Sequence, residues 1–420
     1  MSKILTYILI FFSVNLLIAN EINLDSLLSK AKTDSQLADA YMKVGKSYSM
    51  KEISKSIENY TIALDYAKKT NYNVLLGDVK TGLGIVYIDA NRLIEAEKIL
   101  NSAYYNYFNK SDDAGIANVY TSLGRIKYLR GDFVSAHEYW EESLSLYKLL
   151  KDDIKVAGAY SNIGIIYSEL GNNKQSLENF LMAAKVLEKN NEKVYLTNMY
   201  NNIGIAYQRL ENYGDAEKYF NKSIYLKKII GDELGIAVTY TNLAIVYIEK
   251  KELNKALDYS LKSLKIKKKY NYLKGLTVTY KNICDIYLNL EEYDNALNNA
   301  LEGLRIAEDN EILRDEADFN ELIYRVYSKK GEVDRANEYK NIFITLKDSL
   351  AGLRNKEKEK FITNNTKDEN ILVDTLNNKL SRNIVKKDSG KNHFVIIVSI
   401  VVILLLLGFF VIIFIKRKNK

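Results

Sequence analysis

The 420-residue chain has no proline, one cysteine, one tryptophan and two histidines. Proline ordinarily makes up about 5% of a protein, and without it the chain loses its commonest helix breaker. A lone cysteine, Cys284, excludes an intrachain disulfide, and its place deep in the chain excludes a lipid-carrying cysteine behind an N-terminal leader. Two isolated histidines, His137 and His393, do not assemble a metal site. The chain also lacks a glycine-rich phosphate loop, a nucleophile elbow and an HExxH motif. It therefore reads as a protein that is not an enzyme and carries no cofactor and no metal. Net charge is +7, but the excess sits at the two ends and the body between them is slightly acidic. No phosphate-tracking stripe follows, so nucleic acid is not an expected partner.

What the chain has in quantity is repetition. The phrases KVGKSY, GLGIVY, SLGRIK, NIGIIY, NIGIAY, NLAIVY, NICDIY and LIYRVY return in order. Their third residues, Gly45, Gly84, Gly124, Gly164, Gly204, Ala244, Cys284 and Tyr324, are spaced by 39 residues once and by 40 thereafter. A period in this range marks a solenoid, in which each unit buries its apolar face on its neighbours. Each unit holds two helical patterns. From Leu196 onward, Met199, Ile203, Ala206, Tyr207 and Leu210 recur at three- and four-residue steps, Glu211 to Gly214 interrupt, and Ala216, Tyr219, Phe220, Ser223, Ile224 and Leu226 resume. Gly231 suits a left-handed C-terminal cap and Asp232 the next N-cap. Asp112, Asp113, Asp152 and Asp153 fall where such caps belong, which fits capping better than metal ligation.

The columns share a steric logic. Three residues after each anchor stands a tyrosine, with Lys127 the exception; twelve after each anchor from Gly84 onward stands Ala or Ser, as at Ala96, Ser176 and Ala256. Sixteen after it, Trp140, Phe180 and Phe220 supply bulk. Small residues let two helices approach and aromatic rings fill the space beside them. Cys284 occupies the small-anchor column and reads as a packing residue.

These residues resemble the tetratricopeptide repeat family: a Leu-Gly, a Tyr three on, an Ala twelve on, an aromatic and a second small residue such as Ala103, Ala183 or Ser223. The period exceeds the family's usual ~34 residues and the usual proline is missing, so the match is to the longer, forty-residue variety of spindle-scaffold and kinesin-light-chain type. The resemblance implies an all-α, right-handed superhelical solenoid of antiparallel helix pairs, here with a C-terminal single transmembrane helix. Repeats three and eight fit worst, and the eighth reads as a cap.

The ends are read separately. Residues 1–19 form a secretory signal with cleavage after Ala19, or an uncleaved anchor. A lead-in covers 20–37, the solenoid of about eight repeats 38–350, and a polar stalk 351–393. Phe394 to Ile415 is free of charge, and at about 1.5 Å per residue it is long enough for a membrane span. The basic tail 416–420 is then cytoplasmic by the positive-inside rule, which puts the repeats outside. A tail-anchored protein with cytoplasmic repeats is the other topology, and it requires Ile4 to Ala19 to be no signal. The stalk fits either a coiled-coil homodimer or a flexible tether.

The resemblance also implies a binding surface, the concave face lined by the first helix of every pair. Asn162, Asn202, Asn242 and Asn282 stand two residues before four consecutive anchors, with Asn118 and Asn198 four positions earlier in their helices. An asparagine amide donates and accepts at once, so a row can hold a peptide backbone whatever its side chains; the alternative is an inherited, solvated column. The function expected is a membrane-tethered scaffold for a protein or peptide segment. The alternative is a sensor subunit of an envelope signalling system acting through a separate cytoplasmic partner.

Overall fold

The computed structural model describes residues 27–49 and 52–352. The leader 1–19, residues 353–393 of the stalk, the apolar run 394–415 and the tail 416–420 lie outside the described residues. Among the described residues no helix is long and apolar enough to cross a membrane, and all regular structure is helical.

The helices come in pairs: α1 (Asp34–Tyr48) with α2 (Ile53–Lys69), α3 (Asn73–Asp89) with α4 (Leu93–Phe108), α5 (Asp113–Leu129) with α6 (Phe133–Leu149), and α7 (Asp153–Glu169) with α8 (Asn173–Lys189). There follow α9 (Lys193–Arg209) with α10 (Tyr213–Ile230), α11 (Glu233–Glu249) with α12 (Leu253–Lys269), α13 (Leu273–Asn289) with α14 (Tyr293–Asp309), and α15 (Leu313–Lys330). A last helix, α16, starts at residue 333. The first paired helix begins at Asp34, four residues before the expected solenoid boundary. The described residues up to Phe343 form one compact unit, and 344–352 belong to a second.

The boundaries follow from a connection repeated with little change. A residue with left-handed backbone recurs every 20 residues from Asn91 to Gly331, and only Gly131, Gly171, Gly231 and Gly331 among them are glycine. At Gly131 the amide bonds Tyr128 O (2.9 Å) while Asp132 N bonds Lys127 O (2.9 Å), the two bonds of a Schellman motif. The side chain of Asp132 then accepts from Ser135 N at 3.2 Å, so one residue closes α5 and caps α6. Gly231 and Asp232 play these two parts between α10 and α11, as expected (φ 75°, Asp232 Oδ1 to Gly235 N 2.8 Å). Asp112 and Asp152 cap in the same manner. The break in repeat five, by contrast, is Leu210 to Asn212, and Tyr213 and Gly214 already belong to α10.

Within a pair, the anchor meets the bulky column. A Cβ on Gly164 would lie 2.8 Å from the Phe180 ring, so only glycine allows that approach. Where the anchor is larger, at Ala244 and Cys284, the residue sixteen later shrinks to Ser260 and Ala300, and all four are buried. Burial pushes the Cys284 thiol up to about 12, which suits packing and not thiolate chemistry. Lys127, the break in the tyrosine column, bonds Glu97 of the preceding repeat at 2.8 Å. Tyr167 and Tyr247 reach the equivalent residues, His137 (3.2 Å) and Glu217 (2.6 Å). Lysine therefore keeps the connection between repeats that tyrosine makes elsewhere.

Each helix packs on its chain neighbours, and first helices of successive repeats also touch, as in α1 with α3, α3 with α5, α9 with α11, α11 with α13 and α13 with α15. Among the described residues no two second helices touch to that extent. Within this unit the first helices therefore form the inner side of the stack.

Candidate binding face

The six asparagines divide by burial. Asn118, Asn198 and Asn282 are partly exposed, whereas Asn162, Asn202 and Asn242 keep 2%, 0% and 1% of their surface. At these three the alternative of a solvated column does not hold. At Asn242 the reason is the close approach of successive first helices: its Nδ2 crosses from α11 to donate to Asn201 Oδ1 on α9 at 3.0 Å. Asn118 accepts from the Tyr147 hydroxyl at 3.0 Å. One turn beyond the buried rungs, on the same helical face, Ile165, Ile205 and Ile245 are also buried. The middle of the inner side is thus apolar, with amides set into it.

Those amides are incompletely paired. Asn162 Oδ1, Asn242 Oδ1, Asn201 Nδ2 and Asn282 Nδ2 are buried without a hydrogen-bond partner among the described residues. A buried polar atom left unpaired costs about 1–3 kcal/mol, so this face holds unused hydrogen-bonding capacity of both kinds.

Sequence reasoning missed what stands behind the rungs. Lys227 and Lys267, forty residues apart on α10 and α12, are 0% and 2% exposed. Lys227 Nζ donates to Gly235 O (3.1 Å) and Thr239 Oγ1 (2.9 Å); Lys267 Nζ donates to Thr241 Oγ1 (2.7 Å) and Thr279 Oγ1 (2.8 Å). Among the described residues neither has a carboxylate in a salt bridge, and burial lowers their ammonium groups to about 8 and about 7, with Asp232 partly restoring the first. Thr239 in turn donates to Asn201 Oδ1 at 3.2 Å, which joins the buried cation to the asparagine row. A signal was present in the sequence. The residue 23 after an anchor and the residue five before the next one change together, as Leu187 with Met199, Lys227 with Thr239, Lys267 with Thr279 and Ala307 with Phe319.

His137, singled out by its rarity, bonds Tyr167 and lies 3.8 Å from Glu141. Trp140 packs on Gly124 and donates to Thr121 O at 3.0 Å. A cleft of about 280 Å³ lies apart from the asparagine row, between Lys268, Tyr280, Arg305 and Asn310. Its walls mix both charges.

A stack of helix pairs with an inner face of this kind is consistent with a tetratricopeptide-like solenoid. The tetratricopeptide repeat family model matches residues 115–189 and 195–269, the stretches from α5 to α8 and from α9 to α12. No curated protein sequence matches the chain. Similar solved structures include a signal-transduction ATPase with numerous domains and a tetratricopeptide repeat sensor from Pyrococcus horikoshii (TM-score 0.59, 16% identity, 78% of this chain and 53% of that one). The apo quorum sensor NprR from B. thuringiensis is similar too (0.57, 17% identity, 77% and 91%). So is aspartyl phosphate phosphatase F from Bacillus subtilis (0.54, 16% identity, 77% and 86%). At these identities the likeness is one of fold.

Proposed function

We propose that the stack is a non-enzymatic scaffold whose inner side takes up an extended protein segment. The observation that carries this reading is the set of buried, unpaired amide atoms of Asn162, Asn201, Asn242 and Asn282 beside the isoleucine column. An extended segment offers an N–H and a C=O at each residue and can satisfy both kinds of atom. Apolar side chains of that segment would meet Ile165, Ile205 and Ile245. Because three rungs are closed from solvent, uptake requires the first helices to part, and the energy of the unpaired amides favours the occupied state. Asn118 and Asn198 would extend the contact at its edges.

The test uses the full chain panned against a random peptide library. Changing Asn202 and Asn242 together to Ala is expected to weaken the selected peptides about tenfold or more, with little change in thermal midpoint. A large fall in midpoint with affinity intact would make the asparagines purely structural.

The finer reading tethers the scaffold outside the cytoplasm through residues 394–415. Its support is the uncharged apolar run and the basic residues after it. Pairing of two copies through residues 351–393 would add avidity, and its support is the partial heptad pattern alone. The second reading, a sensor subunit, is favoured by the sensors among proteins of similar fold.

A further inference from the structure

We infer that Lys227 is a positioning residue for the binding face: through Thr239 and Asn201 it sets which way the amides of repeats five and six point, so that together they receive one peptide unit. The inference rests on the proposed uptake of an extended segment and names how that segment is read.

The geometry is a chain of donors. Lys227 Nζ gives one proton to Gly235 O and one to Thr239 Oγ1. An ammonium has donors only, so Thr239 must accept here, and its own proton goes to Gly235 O (3.0 Å) or Asn201 Oδ1 (3.2 Å). Gly235 O has two lone pairs, one taken by the helical amide bond within α11 and one by Lys227, so the hydroxyl proton goes to Asn201. Asn201 Oδ1 also receives Asn242 Nδ2 at 3.0 Å. Both amides are thereby oriented: Asn201 is left with a free Nδ2 donor and Asn242 with a free Oδ1 acceptor, each buried and unpaired. One donor and one acceptor on neighbouring rungs match the C=O and N–H of a peptide chain. Reversing both amides would reverse the pattern and with it the direction in which a segment fits.

The next pair of repeats supplies an internal contrast. Forty residues on, the place of Asn201 is taken by Thr241, whose hydroxyl is engaged by Lys267 (2.7 Å) and Ser263 (2.9 Å). Asn282, the equivalent of Asn242, has its Nδ2 unpaired. The oriented couple therefore depends on the combination Lys227, Thr239 and Asn201, and on no single one of them.

The experiment compares the full chain with Lys227→Met, using an uncharged decapeptide selected on the unmodified chain from a random library. The expected result is a loss of affinity of about tenfold with a thermal midpoint that is unchanged or higher, since a buried ammonium is removed. The Asn242 side-chain amide resonance should also shift in the free protein, a change that needs no ligand. Thr239→Val carries the same test should Lys227→Met unfold, because it cuts the link to Asn201. Retained affinity in both variants, or loss only in step with a falling midpoint, would overturn the positioning role while leaving the groove in place. If no peptide is selected, or selected peptides bind Asn202→Ala/Asn242→Ala equally well, the uptake reading fails and this inference falls with it.

Discussion

Left-handed backbone is the residue-scale demand that this chain meets most often and least comfortably. Lys151, Glu211, Lys251, Glu291 and Glu311 all hold φ between 54° and 61°, where a Cβ costs about 1 kcal/mol. Gly131 stands at an equivalent point with φ 77° and carries no such cost. Lys251→Gly is therefore expected to stabilise by roughly 0.5 kcal/mol, after the extra freedom of glycine in the unfolded chain is subtracted, and Gly131→Ala to destabilise by about 1 kcal/mol. Chemical denaturation of the two variants measures both, and equal signs would contradict the argument. The glycines at these turns could be read from the sequence. The non-glycine members could not, because Lys and Glu carry no signature for positive φ and are held there by the Schellman bonds on either side.

At the scale of the element, the paired second helices α10 and α12 each bury a lysine that no carboxylate neutralises. Their folded-state values, about 8 and about 7, lie below the ordinary ~10.4 of an unfolded chain. The unfolded state thus binds more protons above neutrality, and stability from these groups rises with pH from about 7 to about 10.4. Above about 8.5 the trend is opposed by Cys284, whose thiol is pushed up to about 12 by burial and by Asp285. Lys267→Met should stabilise the chain at pH 7 by roughly 2 kcal/mol and flatten that rise; the Thr241 and Thr279 hydroxyls keep other partners, Ser263 (2.9 Å) and Gly275 O (2.9 Å). Urea unfolding at pH 7.0 and 8.5 decides, and a destabilised variant with an unchanged slope would show that the ammonium is well solvated in the fold.

For the whole molecule, the question is what joins the repeats to the rest of the chain. The apolar run from Phe394 to Ile415 leads to the expectation that the full chain stays with membranes after alkaline carbonate washing. A variant lacking residues 394–415 is expected to appear in the soluble fraction, and its retention on membranes would remove the tether from the reading. Replacing the same residues with an unrelated apolar helix should leave peptide uptake unchanged for a scaffold and abolish signal output for a sensor. Stability of the repeats should be indifferent to either change, because each repeat in a solenoid is held by its neighbours.

The forty-residue period, the helix pairs and the packing columns were legible in the sequence alone. Eight near-copies act as their own alignment, and the small anchor, the tyrosine and the aromatic answer to local sterics that recur in every unit. The caps at Asp112, Asp152 and Asp232 were legible for the same local reason. What only the tertiary structure decided is which of the repeated side chains face one another across repeats. Asn162, Asn202 and Asn242 look alike in the sequence to any solvated column, yet all three are buried in the stack. Lys227 and Lys267 look like surface lysines, yet they lie under Thr239 and Thr279. Burial and amide orientation are set by neighbours on other helices, 8 to 41 residues away in the chain, through the approach of one helix to another, and no residue's own identity contains that distance.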